Sequence, residues 1–369
     1  MTLSLRTPIL LTAIFFMIAT GGCALTQKTR EVKPLRITGG EEILVARHAS
    51  GIIPFWCGDK PILVYQLNRG GVYYYDLTTR QNTKVARPYS NAITCTHDGE
   101  WLIYKDSLSS RYDADTIEEG IINLWRYEFK TGKSEWFFVV DTSDTDAAIF
   151  IPNTLKMYLG RKPNPTIEMP EPKWDITWNP NVKSLYMWLK DGSLAFGSHI
   201  DFSQPRRDRK RIMDIEAFHP ERKSFTITSD FTSFSLLFTD NQGRLYFEVT
   251  EGYQMGDLHT YLNRCSINTK EESISCETLF DPWHSMWALG VFSDGENIVL
   301  SKWKGECLQA QMIGKDNTHC ITEKGLIGGS IRISPDENWV AFEKIKSIGE
   351  RGYDSDLYLL KINKTEEEE

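Results

Sequence analysis

The chain of 369 residues lacks the short motifs that mark common metal sites and catalytic nucleophiles. It contains no C-x-x-C and no H-E-x-x-H, and its seven histidines are scattered singly. A zinc site is therefore not expected. It also contains no G-x-S-x-G, so the serine-hydrolase turn is not expected either. The residues point to no metal, no cofactor and no catalytic side chain.

An excess of positive charge is also missing. Lys and Arg total 42 against 50 Asp and Glu, which gives a net charge of −8. An acidic chain does not attract the phosphate backbone, so we expect no nucleic-acid partner. The one dense basic run, at 206–211, is predicted to be a solvated loop or edge strand, with an anion contact as the alternative.

Long hydrophobic runs are scarce too. The only one extends from Pro8 to Thr20, follows Arg6, and is too short for a comfortable membrane span. A positive start followed by a short apolar run is typical of a secretion signal. Elsewhere charge or glycine interrupts every apolar window, so no membrane-spanning segment is predicted.

Small residues and a thiol follow this run. Gly21, Gly22 and Cys23 resemble the lipobox of bacterial lipoproteins, although Thr20 stands where that family prefers an aliphatic residue. The resemblance implies that Cys23 carries the lipid (palmitate) and becomes the first residue of the mature protein. Because Ala24 is not Asp, the enteric sorting rule favours an outer-membrane anchor facing the periplasm. The alternatives are an inner-membrane anchor and an ordinary cleaved signal.

One sequence pattern recurs along the rest of the chain. It is a short strand, a loop, an alternating strand, a tight turn around Asp and another strand, and it is clearest at 43–66, 83–106, 275–303 and 319–344. Aromatic residues make up 12% of the full sequence, which favours strands. Alternating apolar and polar residues predict half-buried antiparallel strands. Four short strands per unit, repeated every few tens of residues, are typical of a β-propeller.

The turns explain the pattern chemically. Asp98, Asp294 and Asp336 each occupy a position where the carboxylate accepts hydrogen bonds from nearby amides, and glycine follows the first two. The last of these segments, Ser-Pro-Asp-x-x-Trp-Val-Ala-Phe at 334–342, resembles the repeat of TolB-like (WD40-like) propellers, as does the Asp-Leu-Tyr-Leu of 356–359. The resemblance is weak in the middle of the chain.

These repeats predict an all-β propeller of six blades, with seven as the alternative count. The last unit lacks one strand, and a strand at 41–48 precedes the first unit. We therefore expect the N-terminal strand to complete the last blade, which removes two open sheet edges. A double β-sandwich with evenly spaced hairpins is the competing interpretation.

The domain boundaries follow. We expect a signal peptide at 1–22, a lipidated N-terminus and flexible tether at 23–38, the propeller at 39–364 and an acidic tail at 365–369.

Six cysteines remain after Cys23, an even number that indicates disulfides in an exported chain. Cys265 and Cys276 flank one turn and Cys307 and Cys320 another, so each pair is predicted to bond across a hairpin. Cys57 and Cys95 occupy like positions in successive units, and their bonding stays open.

Most tryptophans are assigned to the core, including Trp101 and Trp339, which follow equivalent Asp turns. Trp283, His284 and Trp287 lie in a loop between strands and are the candidate recognition residues for a protein or glycan. The prediction is a lipid-anchored, non-catalytic binding module of the cell envelope, as the resemblance implies. The alternative is a glycan-acting lyase or hydrolase with its site at the channel mouth.

Overall fold

A computed structural model describes most of the chain after residue 34. The described ranges are 35–49, 54–67, 70–88, 90–96, 98–106, 121–141, 148–150, 156–159, 175–178, 195–200, 213–218, 225–228, 233–239, 244–251, 259–268, 271, 273–283, 288–302, 305–315, 318–349 and 352–366.

All regular secondary structure in these ranges is β-strand, which confirms the all-β prediction. The strands are β1 (Leu35–Ala46), β2 (Phe55–Trp56), β3 (Ile62–Leu67), β4 (Gly71–Asp76), β5 (Gln81–Lys84), β6 (Asn91–Cys95), β7 (Trp101–Asp106), β8 (Ile121–Glu128), β9 (Lys133–Asp141), β10 (Ala148–Phe150), β11 (Lys156–Leu159), β12 (Asp175–Trp178), β13 (Ala195–Ile200), β14 (Met213–Phe218), β15 (Phe225–Thr228), β16 (Ser233–Thr239), β17 (Leu245–Glu251), β18 (His259–Asn268), β19 (Ser273–Phe280), β20 (Ala288–Val291), β21 (Asn297–Ser301), β22 (Gln309–Met312), β23 (His319–Cys320), β24 (Ile327–Ile333), β25 (Trp339–Gly349) and β26 (Gly352–Glu366).

The described strands form seven sheets, whereas the sequence predicted six units with seven as the alternative. Six sheets consist of consecutive strands, and one also contains the N-terminal strand. They are sheet 1 (β2–β5), sheet 2 (β6–β9), sheet 3 (β10–β12), sheet 4 (β13–β15), sheet 5 (β16–β19), sheet 6 (β20–β23) and sheet 7 (β24–β26 with β1). The described pairings are antiparallel except that of β11 with β12.

The outer strand of sheet 7 comes from the start of the chain. β1 pairs antiparallel with β26, from Leu35 opposite Glu366 to Ala46 opposite Leu357. The boundaries predicted for the tether and the tail were therefore wrong by a few residues, since residues 35–38 and 365–366 belong to strands. The physical reason is Ile37, which is only 1% exposed and packs into the core between sheets 6 and 7.

Consecutive sheets pack face to face through separate apolar clusters. One cluster joins sheets 1 and 2, a second joins sheets 1 and 7, a third joins sheets 6 and 7, and a fourth joins sheets 5 and 6. Each inner strand therefore buries side chains on both faces, which explains uninterrupted apolar segments such as the Leu-Val-Tyr of β3. The core is a series of layers between sheets.

The Asp turns connect the first and second strands of a sheet. In sheet 2, Asp98 accepts from the Thr96 hydroxyl at 2.5 Å and from the Glu100 amide at 3.0 Å. The amide of Trp101, which begins the second strand, donates to Thr96 Oγ1 at 3.0 Å. Gly99 has a φ of 67°, a left-handed conformation that favours glycine.

Sheet 7 repeats this turn with other residues. Asp336 accepts from the Ser334 hydroxyl at 2.5 Å, and the Trp339 amide donates to Ser334 Oγ at 3.0 Å. Burial raises the pKa of the Asp336 carboxyl, but the hydrogen bonds from Ser334 and Asn338 outweigh burial, so the pKa lies below its usual value. The recurrent Ser/Thr-x-Asp wording thus encodes a repeated hydrogen-bonded turn.

The structure contains three disulfides, in agreement with the predicted use of cysteine. Cys265 and Cys276 face each other in register on β18 and β19, and Cys307 bonds to Cys320 across the outer hairpin of sheet 6. Cys57, which the sequence left open, is bonded to Cys95 with their Cα atoms 5.2 Å apart. This third bond links sheet 1 to sheet 2.

Candidate functional site

The sheets whose Asp turns are described have two chemically different ends. We call the end with the Asp turns the turn end, and the opposite end, where the chain passes from one sheet to the next, the loop end. In sheet 7 the turn end holds Asp336, and the loop end holds the start of β24, the end of β25 and the start of β26. Binding residues of proteins are concentrated on the loops that a rigid scaffold positions, so the loop end is the natural place for recognition.

The structure corrects the expected role of Trp283. Its side chain is only 2% exposed and belongs to the cluster between sheets 5 and 6, with its ring 5.6 Å from that of Phe280. Its indole Nε1 donates to Glu248 Oε2 at 3.0 Å. The ring therefore offers no exposed aromatic face, because it fills the space between two sheets and satisfies a carboxylate there.

The other predicted site residues lie outside the described residues. They are the lipid-attachment residue Cys23, the recognition residues His284 and Trp287, and the basic run at 206–211.

A second feature, not anticipated from the sequence, is a polar residue at the same place in several sheets. It comes four residues after the start of the second strand, as Gln66 in sheet 1, Lys105 in sheet 2, Ser301 in sheet 6 and Glu343 in sheet 7. Glu248 is the fourth residue of β17 in sheet 5. The position lies towards the loop end and directly follows an apolar run on its strand.

Three of these polar groups bond to the next sheet or to the loop that leads to it. Gln66 Nε2 donates to the carbonyl of Ala92 in sheet 2 at 3.3 Å, and Ser301 Oγ lies 3.5 Å from the carbonyl of Gly328 in sheet 7. Glu248 accepts from Trp283, as described above. In these three sheets the position thus fixes one sheet against the backbone or the connecting loop of its neighbour.

Glu343 is the most deeply buried acid of this set, with 2% of its surface exposed. Its oxygens accept hydrogen bonds from Ser330 Oγ at 3.1 Å and Ser355 Oγ at 3.0 Å, both within sheet 7. Burial raises the pKa of the Glu343 carboxyl above its usual value, and the two hydroxyls only partly offset this effect. In the sequence, the only indication of this buried acid was the charged residue that ends the run Val-Ala-Phe-Glu at 340–343.

The connecting loops explain why Glu343 and Glu248 differ. Trp283 donates its amide to the Thr260 carbonyl at 2.6 Å, and Ala49 makes the equivalent bond to Ser355 at 2.9 Å. Ala49 therefore occupies in the connection from sheet 7 to sheet 1 the place that Trp283 occupies between sheets 5 and 6. Because Ala49 has no indole to donate, Glu343 receives its hydrogen bonds from the hydroxyls of Ser330 and Ser355 instead.

Two exposed His–Asp pairs lie at the loop end. His259 Nε2 is 2.6 Å from Asp281 in sheet 5, and His48 Nδ1 is 2.9 Å from Asp354 in sheet 7. In both sheets the pair joins the third strand to one of the two residues that follow the fourth strand. Asp356 accepts from the His48 amide at 3.1 Å, which anchors the end of β1.

Exposed apolar side chains occur beside the second pair. Leu326 is 41% exposed and Ile348 is 50% exposed, and both belong to the loop end of sheet 7. The Ile345 amide donates to the Leu326 carbonyl at 2.7 Å, which places Leu326 beside the strand that carries Ile348. Apolar side chains beside polar, exposed pairs have the composition of a small interaction surface.

Buried arginines elsewhere are consumed in cross-strand ion pairs. Arg126, which is fully buried, donates to Glu135 at 2.5 Å across β8 and β9. Arg264 donates to Glu277 at 2.6 Å across the equivalent strands of sheet 5. Burial alone lowers the pKa of Arg264, but the hydrogen bond to Glu277 and the nearby carboxylates raise it further than burial lowers it.

No group of three or more potential metal ligands occurs among the described residues. In the same residues, no helix is long and apolar enough to cross a membrane.

No known protein family matches this chain, and no curated protein does. Solved structures that resemble it include the β-propeller domain of Myceliophteria thermophila Cps50 (Swd1), at 12% identity and a TM-score of 0.49, covering 88% of this chain and 99% of that one. TolB from Acinetobacter baumannii is similar at 12% identity and a TM-score of 0.40, over 84% and 64% of the two chains.

A third similar structure is the oligogalacturonate lyase of Vibrio parahaemolyticus. Its identity is 12% and its TM-score 0.37, and the match covers 84% of this chain and 76% of the lyase. TM-scores this low, at 12% identity, assign no functional role to the present chain.

Proposed function

We propose that the seven sheets are blades of one propeller, with the first strand of each blade nearest a central axis and β1 completing the seventh blade. The packing order of sheets 2, 1, 7, 6 and 5 supports this arrangement, since each contacts the next through its own cluster. The first strands also lie side by side. Trp56 Nε1 on β2 donates to the carbonyl of Arg332 on β24 at 3.2 Å, and a Cβ placed on Gly290 of β20 would lie 2.9 Å from Ile331.

On this scaffold we propose a non-catalytic binding module that recognises an envelope protein through its loop end. One observation carries the proposal: the exposed Leu326 and Ile348 lie at the same end of sheet 7 as the His48–Asp354 pair. A protein partner buries apolar side chains at the centre of an interface and polar pairs at its rim. In the described residues no contact favours the glycan-acting alternative.

The experiment is site-specific photo-crosslinking in the producing cell. A photoreactive amino acid replaces Ile348, and in a matched variant it replaces Lys361, which is exposed on β26 towards the turn end of the same sheet. We expect a discrete protein adduct from position 348 and none of that mass from position 361. Identical adducts at both positions, or none at position 348, would contradict the proposal.

We further propose that the protein is exported and held to the outer membrane by lipid on Cys23, facing the periplasm. The support is the apolar run followed by Gly21, Gly22 and Cys23. Cys23→Ala is expected to move the chain from the membrane fraction to the soluble periplasm. Wild-type chain found in the soluble periplasm with a free mature N-terminus would refute the anchor.

A further inference from the structure

Arg332 occupies an unusual place for a cation. It lies on β24, the first strand of sheet 7, and is partly buried. Its side chain is on the same face as Ser330 and opposite to Ile331, which packs against sheet 6. Arg332 therefore faces sheet 1 at the inner edge of the seam between sheets 7 and 1, where Trp56 bonds to its carbonyl.

The guanidinium has one hydrogen bond within the described residues. Nη1 donates to the carbonyl of the preceding residue, Ile331, at 2.8 Å. By contrast, Arg126 and Arg264 pair with carboxylates at 2.5 and 2.6 Å, and Arg244 lies 3.8 Å from Glu296. No described carboxylate forms an ion pair with Arg332.

Glu343 is not the counter-ion of Arg332, although its side chain lies on the same face of the sheet. Its two oxygens accept from Ser330 and Ser355, and its burial favours the neutral acid. Burial also lowers the pKa of the Arg332 guanidinium, and no described carboxylate offsets that effect. An arginine held partly out of water without an anion is uncommon, because desolvation of the charge costs free energy that only a counter-ion restores.

We propose that Arg332 binds the carboxylate of a ligand that enters at the inner edge of the seam between sheets 7 and 1. With Nη1 turned to Ile331, the Nε and Nη2 edge remains, and its two parallel N–H groups match the two oxygens of a carboxylate. The two oxygens of a carboxylate lie in one plane with the two N–H groups of that edge, whereas the oxygens of a phosphate are tetrahedral, so the site favours a carboxylate. This site is separate from the surface around Ile348 and does not depend on it.

The test is a titration of the full chain with glutarate, followed by NMR of the arginine Nε–H groups at constant ionic strength. The Arg332 signal is assigned by its absence from Arg332→Met. Glutaramide, the neutral isostere, and inorganic phosphate are the matched probes. We expect a saturable shift of the Arg332 signal with glutarate, none with glutaramide, and binding of phosphate about tenfold weaker or less.

Variants complete the test. Arg36→Met removes an exposed arginine of β1 and is expected to leave glutarate binding, measured by calorimetry, unchanged. Arg332→Met is expected to weaken it at least about tenfold, and Arg332→Lys, which keeps the charge and loses the fork, is expected to weaken it as well. Equal glutarate affinity in the wild type and Arg332→Lys, no shift of the Arg332 signal, or phosphate binding as tight as glutarate would overturn the proposal.

Discussion

Trp283 and Glu248 form a hydrogen bond of 3.0 Å between the indole Nε1 and Oε2, at the interface between sheets 5 and 6. The bond joins a connecting loop to the second strand of the preceding sheet. The Trp283 ring is 2% exposed and packs between the two sheets. Its N–H also supplies a hydrogen bond to the Glu248 carboxylate, which is only partly exposed to water. This pair replaces the exposed platform that the loop sequence suggested.

Replacement of Trp283 should therefore act on stability. Trp283→Ala is expected to lower the free energy of unfolding by about 3 to 5 kcal/mol, because it leaves a cavity between two sheets and removes the donor to Glu248. Urea denaturation followed by far-UV circular dichroism measures this change. Trp283→Phe, which keeps most of the ring volume, should cost clearly less, and an unchanged midpoint in Trp283→Ala would contradict the buried position.

Glu343 should make stability depend on pH in a specific direction. Its folded pKa is raised, so the native state holds the proton more tightly than the unfolded chain does. The stability that Glu343 contributes is then fully present below its unfolded pKa of about 4.3, and it is lost as pH rises through the folded pKa. Because glutamine does not ionise, Glu343→Gln should remove the part of the pH-dependent loss of stability that Glu343 causes.

Unfolding curves of the wild type and Glu343→Gln at a series of pH values test this direction. The control is Glu306→Gln, since Glu306 is 75% exposed and pairs with an exposed lysine. A difference between wild type and Glu343→Gln that stays constant across the pH series would refute the raised pKa.

The ion pairs should differ in how much they contribute to the free energy of unfolding, according to how buried they are. Glu135→Gln withdraws a charged acceptor from Arg126, whose side chain is fully buried, and is expected to cost about 2 kcal/mol. Glu41→Gln breaks the pair with Arg80, whose side chain is 57% exposed, and is expected to change stability little. The two variants are compared in one series of chemical denaturation, and equal effects would contradict the distinction.

The disulfides should differ in their contribution because they close loops of different length. Cys57 and Cys95 are separated by 38 residues, and Cys265 and Cys276 by 11. Chain-entropy estimates give about 4 kcal/mol for the first and about 3 kcal/mol for the second. The double alanine variant of the first pair should therefore unfold at the lower denaturant concentration.

Peptide mapping without reduction checks the pairing itself. Three linked peptides are expected, joining Cys57 to Cys95, Cys265 to Cys276 and Cys307 to Cys320. Free thiols at any of these positions in chain isolated from an oxidising compartment would contradict the corresponding bond.

The sequence by itself determined the local features of this protein. Alternation of apolar and polar residues encoded the strands, and Thr96-x-Asp98 and Ser334-x-Asp336 encoded the turns, because their hydrogen bonds connect residues only a few positions apart. The hairpin disulfide between Cys265 and Cys276 was equally readable, since its cysteines flank a single turn.

Only the tertiary structure decided what lies between sheets. Trp283 is buried, Cys57 meets Cys95, and Arg332 faces sheet 1, each because a loop or strand packs against a different sheet. The pairing of Ile37 with Lys364 joins residues more than 300 positions apart. Such contacts depend on the sum of many packing interactions across the fold, and no short segment of the sequence contains them.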